Sequence, residues 1–99
     1  MIDYIKDYCV SNIDYDYIIN NMKKSTLEAL SLASDNVKET LKYYNSLGLS
    51  KDISKIILKR PDLVLMPKDN LVNLFNKIDK KVLAIIIDKD IDDLILFGI

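Results

Sequence analysis

The sequence predicts an all-α fold, a small bundle of five to seven short helices packed as antiparallel helical hairpins. Its 99 residues fit one helical domain that spans residues 1–99. Hydrophobic residues make up 49% and charged residues 29% of the chain, a balance typical of a folded globule. Only two glycines and two prolines are present, which are too few turn-forming residues for an all-β domain of this length.

The first third of the chain is predicted to hold three short helices. Apolar residues at helical spacing over residues 2–9 predict the first of them. A polar break at residues 12–16 separates it from a second helix over residues 17–22. The third helix should begin at the Ser-Thr-Leu-Glu sequence of residues 25–28, because this is a capping box in which the Ser and Glu side chains satisfy backbone donors reciprocally.

Glycine and proline mark the ends of the two central helices. An apolar stripe over residues 37–47 predicts a helix that stops at Gly48, because glycine adopts the left-handed conformation at little cost. Ser50 can cap the next helix, which points three isoleucines inward. That helix should close near Arg60, since Pro61 cannot lie in a helix interior.

The last third is also predicted to be helical, with one ambiguity. Residues 62–67 are predicted to form a short apolar connector, and the stripe over residues 71–78 predicts a helix. Residues 82–87 suit a buried helix, but their β-branched content also suits a strand that pairs with residues 94–97 as a hairpin. We favour two short helices because the rest of the chain is helical.

The charge distribution sets the middle of the chain apart from its ends. The net charge is −1, so no global field attracts the protein to nucleic acid or membrane. Residues 46–81 nevertheless carry a net +4, between −2 over residues 1–45 and −3 over residues 82–99. Cys9 is the only cysteine and no signal peptide is visible, which indicates a reducing, cytoplasmic location. No apolar run is long enough to span a membrane, so no membrane partner is expected.

Nothing in the sequence resembles an enzyme active site. Histidine is absent, which removes the commonest general base and most zinc and haem sites. Gly48 and Gly98 stand alone, so no glycine-rich phosphate loop is present. Cys9 has no histidine partner and is interpreted as a small buried hydrophobe. We therefore expect a protein that is not an enzyme and that needs no cofactor.

An acidic run near the end of the chain has part of a metal-site pattern. Asp88, Asp90 and Asp92 have the spacing that opens a calcium loop. Asp93, however, stands where that loop needs glycine, and Ile99 stands where it needs a bidentate glutamate. We interpret the run as a solvated acidic turn or a helix cap, and we expect no metal.

The most suggestive polar residues are the cations and hydroxyls of the basic middle segment. The candidate nucleic-acid-binding residues are Ser50, Lys51, Ser54, Lys55, Lys59 and Arg60. The three lysines follow an i, i+4, i+8 spacing, which places them along one helix face. Such a row of cations with small hydroxyls can follow a phosphate backbone. The alternative is an ordinary solvated helix face, partly offset by Asp52 and by the helix dipole.

The order of helices and turn residues over residues 37–78 carries a family resemblance. The matching residues are Leu47, Gly48, Leu49, Ser50, Ile53, Ile56, Ile57, Pro61 and Leu63. They resemble one helical repeat of the mitochondrial transcription termination factor family, in which a helix ends at Leu-Gly and a second helix runs to the proline. The resemblance implies a nucleic-acid-binding solenoid. The same stretch also resembles a helix-turn-helix, with Gly48 in the turn and Ser50 opening the recognition helix.

Two functions therefore stay open. The leading hypothesis is a small non-enzymatic nucleic-acid-binding or regulatory protein that uses the lysine-bearing helix. The alternative is a protein–protein interaction module, such as an adaptor, inhibitor or assembly subunit. It would use the acidic, tyrosine-bearing N-terminal part or the apolar C-terminus, where exposed side chains at residues 85–87 or 94–97 would favour it. These apolar segments would also serve a homodimer.

Overall fold

A computed structural model describes residues 2–8, 12–49 and 53–99, and each element in these ranges is helical. The α-helices are α1 (Asn12–Asn21), α2 (Lys24–Leu32), α3 (Ser34–Ser46), α4 (Ser54–Lys59), α5 (Asp62–Leu65), α6 (Lys68–Phe75) and α7 (Lys80–Asp90), and the 3₁₀ helices are η1 (Asp3–Tyr8) and η2 (Ile91–Phe97). The predicted all-α fold is confirmed. Residues 82–97 are helical, so the β-hairpin alternative is wrong.

The boundaries of the early helices differ from the prediction. Residues 12–16 belong to α1, so the predicted polar break is wrong. Tyr15 and Ile18 explain the difference, because they lie one turn apart and are both buried, which gives this polar segment an apolar face. Helix α2 begins at Lys24 without a side-chain cap, so Ser25 and Glu28 lie inside the helix and the predicted capping box does not form. Cys9 lies outside the described residues.

Helix α3 lies at the centre of the core. Its apolar stripe is buried as predicted, and the helix contacts η1, α2, α5 and α6. Tyr44 is its largest buried side chain: the ring packs edge-on against Phe75 with 6.0 Å between ring centroids. The Tyr44 hydroxyl donates a 3.0 Å hydrogen bond to the carbonyl oxygen of Leu63, which joins α3 to α5.

The chain turns after α3 at Gly48, whose φ of +72° confirms the predicted left-handed position. Helix α4 then ends at Lys59, before Pro61 as predicted. Residues 62–67 are not a plain connector, because Asp62–Leu65 form α5. Pro61 directly precedes α5, and its φ of −60° suits the start of a helix. Leu63 and Val64 are buried and hold this short helix against the core.

The last three helices complete the packing. Helix α6 buries Leu71 and Phe75, and Asn36 of α3 fixes its start by accepting from the Lys68 N–H at 3.0 Å. Asp79 caps α7 by accepting from two N–H groups of its first turn. Asp90 in turn caps η2, which contacts α7 and α4. Helix η2 therefore lies beside the lysine-bearing helix α4.

Candidate interaction surfaces

The structure describes four of the six predicted nucleic-acid-binding residues: Ser54, Lys55, Lys59 and Arg60. Helix α4 begins at Ser54 and carries Lys55 and Lys59 of the predicted lysine row. Ser50 and Lys51 lie outside the described residues. Ser54 is only 2% exposed, because it lies in the first turn beside buried isoleucines of α4. Its burial corrects the expectation that the Ser54 hydroxyl approaches a nucleic acid.

Lys59 is held by a carboxylate of the same chain. Its ammonium nitrogen lies 3.1 Å from an Asp90 carboxylate oxygen. The hydrogen bond from Lys59 to Asp90 raises the pKa of Lys59. Two hydrogen bonds to its carboxylate lower the pKa of Asp90. The larger effect comes from the backbone N–H of Asp92, and the smaller one comes from Lys59. This pair joins α4 to the start of η2, so Lys59 serves a structural contact.

Arg60 is likewise turned toward the protein. Two of its guanidinium nitrogens, Nε and Nη2, donate to the carboxylate of Asp62 at 3.1 and 3.0 Å. Nη2 also donates to the main-chain oxygen of Ile99 at 2.7 Å. The hydrogen bond from Arg60 lowers the pKa of Asp62 and raises that of Arg60. With 15% of its side chain exposed, Arg60 joins α5 to Ile99, the second residue after η2, rather than projecting into solvent.

A cleft of about 310 Å³ lies between α4 and the junction of α7 with η2. Its charged lining consists of Lys55, Lys59, Lys89, Asp88 and Asp90, above an apolar floor. Lys55 is exposed and makes no ion pair with the residues that the structure describes. The cleft therefore mixes both signs of charge, with one more cation than carboxylate. Of the predicted lysine row, Lys55 and Lys59 line this cleft, and Lys59 is paired with Asp90.

The least covered apolar surface lies on α7 and η2. Five exposed large hydrophobic side chains define what we call the α7–η2 patch: Val82, Ile85, Ile95, Leu96 and Phe97. Leu96 is 84% exposed, and Ile95 and Ile85 are about two thirds exposed. The core-facing residues of η2 are Ile91 and Leu94, three residues apart as 3₁₀ geometry requires, so Ile95 and Leu96 turn outward. Phe97 follows the same three-residue spacing and lies half-exposed at the end of the helix.

A second apolar surface lies between the first helices. A groove of about 340 Å³ is lined by Ile2, Ile19 and Leu27, with the other lining residues on α2. These are Lys24, Glu28 and Ser31, which share one helix face because they are spaced by three or four residues. We call this concave surface the α1–α2 groove. Sequence reasoning missed it, because it depends on how η1 and α1 pack against α2.

The N-terminal tyrosines are used mainly inside the molecule. The Tyr4 hydroxyl donates to the Leu30 carbonyl oxygen at 2.7 Å, and burial raises the pKa of Tyr4 to about 12. The Tyr15 hydroxyl donates to Asp3 at 3.0 Å. Tyr17 is 57% exposed. Tyr4 and Tyr15 therefore make contacts within the chain, whereas Tyr17 is exposed.

The acidic run has a structural role. Asp90 accepts from the Asp92 N–H at 3.0 Å and caps η2, which confirms the interpretation of this run as a helix cap. No cluster of three or more metal-binding side chains exists within residues 2–8, 12–49 and 53–99. Across the same ranges, every helix is too short or too polar to cross a membrane.

Comparison with known proteins gives no relative: no protein-family model, curated protein or solved structure matches the chain. The resemblance to a mitochondrial transcription termination factor repeat therefore stays a prediction. The candidate sites consequently depend on the geometry of this chain alone.

Proposed function

We propose that the protein is a protein–protein interaction module whose α7–η2 patch binds a partner. The observation that carries the proposal is the concentration of five uncovered large hydrophobic side chains on two consecutive helices that pack together. Single exposed hydrophobic residues are normal on protein surfaces, whereas grouped ones mark interaction sites. Covering such side chains stabilises a complex by roughly 1.5–3 kcal/mol for each one fully buried.

Buried side chains beneath the α7–η2 patch hold its two helices in place before a partner binds. Leu83 and Ile87 fix α7 on the core, and Ile91 and Leu94 do the same for η2. The Asp90 cap fixes the angle between the two helices at their junction. A surface that is rigid before binding loses less conformational entropy when a partner covers it. The patch therefore combines apolar area with preorganisation.

The decisive experiment compares two leucines with similar exposure. Leu96 belongs to the α7–η2 patch, whereas Leu32, which is 89% exposed, lies at the end of α2. We expect the immobilised wild-type chain and Leu32→Ser to retain the same protein from an extract of the native cell. Leu96→Ser should lose that protein, and the purified partner should then bind it at least tenfold more weakly.

Folding controls make this comparison decisive. Both substitutions replace exposed side chains, so each should change the free energy of unfolding by less than about 0.5 kcal/mol. Retention of the same proteins, in equal yield, by Leu96→Ser and by the wild type would refute the proposal.

Nucleic-acid binding is the second candidate, and one observation favours it. Lys55, Lys59 and Lys89 line the same cleft, although two carboxylates share it. If this cleft binds phosphates, affinity for a duplex or single-stranded oligonucleotide should fall steeply with salt. Lys55→Glu with Lys89→Glu should abolish that binding and leave the Lys59–Asp90 pair intact. Binding that is absent at low salt, or that is unchanged in this double variant, would rule the cleft out.

A further inference from the structure

We infer that the carboxylate of Asp90 is a built-in competitor at the cleft between α4 and α7, because it occupies Lys59 in the place where a phosphate of a nucleic-acid backbone would bind. The inference rests on the second candidate function, the binding of phosphates at this cleft, and adds an internal contact that limits it. A phosphate that enters the cleft has to displace Asp90 before it reaches Lys59. The chain therefore binds nucleic acid more weakly than its three cleft lysines alone would allow.

The fold brings the acidic end of the chain against its basic middle, since η2 packs against α4. The ammonium nitrogen of Lys59 lies 3.1 Å from an Asp90 carboxylate oxygen. The charges of Asp92 and Asp93 also act on Lys59, because they contribute to its raised pKa. Three carboxylates of one segment therefore surround Lys59 with the negative charge that the phosphates of a bound strand would otherwise supply.

The contact between Lys59 and Asp90 is open to exchange. Their side chains are 49% and 41% exposed, and ion pairs between solvent-exposed side chains are weak. Asp90 also keeps its structural role without the lysine, because the same carboxylate oxygen accepts the Asp92 N–H at 3.0 Å and caps η2. A phosphate can therefore replace Asp90 at Lys59 while η2 stays capped.

Arg60, the next residue along the chain, is held more firmly. It donates two hydrogen bonds to the carboxylate of Asp62 and a third to the main-chain oxygen of Ile99, with 15% of its side chain exposed. Two-pronged hydrogen bonding between a guanidinium and a carboxylate is stronger than a single neutral hydrogen bond. Arg60 consequently keeps Ile99 attached to α5 while Lys59 changes partner, so ligand binding requires no release of the C-terminal helix.

A substitution that removes the competing charge and keeps the helix cap tests the inference. Asp90→Asn does both, because asparagine caps helices about as well as aspartate. In fluorescence anisotropy with a labelled single-stranded oligonucleotide at low salt, we expect Asp90→Asn to bind severalfold more tightly than the wild type. Its plot of log affinity against log salt concentration should be steeper by about 0.7, the contribution of one further lysine–phosphate contact on a single strand.

Asp92→Asn is the matched control, because it removes the same charge from the same segment and leaves the Lys59–Asp90 pair in place. It should give a smaller gain in affinity and an unchanged slope. The advantage of Asp90→Asn over this control should disappear when Lys59→Gln is added to both variants, since that advantage depends on the freed lysine. Circular dichroism should show the same helicity in all these proteins.

Two results would overturn the inference and leave the second candidate function in place. One is an Asp90→Asn variant that binds no more tightly than Asp92→Asn, and the other is an advantage that persists with Lys59→Gln. Absence of oligonucleotide binding by the wild type and by every variant would overturn both.

Carbon-13 NMR of the wild type gives a second measurement that needs no substitution. The side-chain carboxyl resonance of Asp90 should shift when the oligonucleotide is added, because this carboxylate loses its lysine. The resonance of Asp79, which caps the other end of α7, should stay fixed. An Asp90 resonance that is unmoved in the bound state would also overturn the inference.

Discussion

Tyr44→Phe should destabilise the protein although it keeps the aromatic ring. Tyr44 is fully buried, and its hydroxyl donates a 3.0 Å hydrogen bond to the Leu63 carbonyl oxygen. Phenylalanine preserves the contact with Phe75 but leaves that buried acceptor without its donor. An orphaned buried polar group costs about 1–3 kcal/mol. For a domain of this size, a loss of about 2 kcal/mol lowers the melting temperature by roughly 10 °C.

Chemical denaturation followed by circular dichroism measures this loss, with Tyr43→Phe as the matched control. Tyr43 is the neighbouring residue and packs against the same rings, but its hydroxyl makes no hydrogen bond within the described part of the chain. Its change should cost less than about 0.5 kcal/mol. Equal stability of the two variants would refute the assignment of the Tyr44 hydroxyl as the link between α3 and α5.

Three further predictions concern a backbone turn and two titrations. Gly48→Ala should cost about 1–2 kcal/mol in denaturation experiments, because φ is +72° there; an unchanged midpoint would contradict the assigned turn. Arg60 lowers the pKa of Asp62, so this carboxylate stabilises the fold above its unfolded pKa of about 3.8, and the contribution is lost as pH falls. Between about pH 5 and pH 1, the melting temperature of Asp62→Asn should therefore fall less than that of the wild type. Parallel plots of melting temperature against pH for the two proteins would refute the Arg60–Asp62 pair. The phenol of Tyr4 should ionise near pH 12, because burial favours its neutral form. The contribution of the neutral phenol to the stability of the fold is complete below about pH 10 and is lost as pH rises through about 12. An absorbance titration should show a step there that Tyr4→Phe lacks, and an identical titration of the variant would contradict the burial.

The parts of the fold that the sequence predicted are those with strong local signals. Regular apolar spacing predicted α3 and α6, and Gly48 and Pro61 predicted the boundaries around α4. The segment at residues 12–16 was missed because its helix is stabilised by burial of Tyr15 rather than by local composition. The predicted capping box at residues 25–28 does not form, because α2 begins at Lys24 and the motif lies inside the helix.

The candidate sites were harder to predict, because exposure and pairing are tertiary properties. Spacing correctly placed Lys55 and Lys59 on one helix, but it could not show that Asp90, 31 residues away, holds Lys59. The pairing of Arg60 with Asp62 involves near neighbours and was detectable in principle. The apolar C-terminus was recognised as a candidate, yet the choice of uncovered side chains depends on how η2 packs against α4 and α7.

The most direct test of the central claim is hydroxyl-radical footprinting of Leu96 and Leu32 in the same sample. These two leucines are similarly exposed in the single chain, so dilute protein should label both to a similar extent. In the bound state, labelling of Leu96 should fall severalfold while labelling of Leu32 stays constant, because only the α7–η2 patch is covered. Equal labelling of Leu96 in the free and bound states would contradict the account.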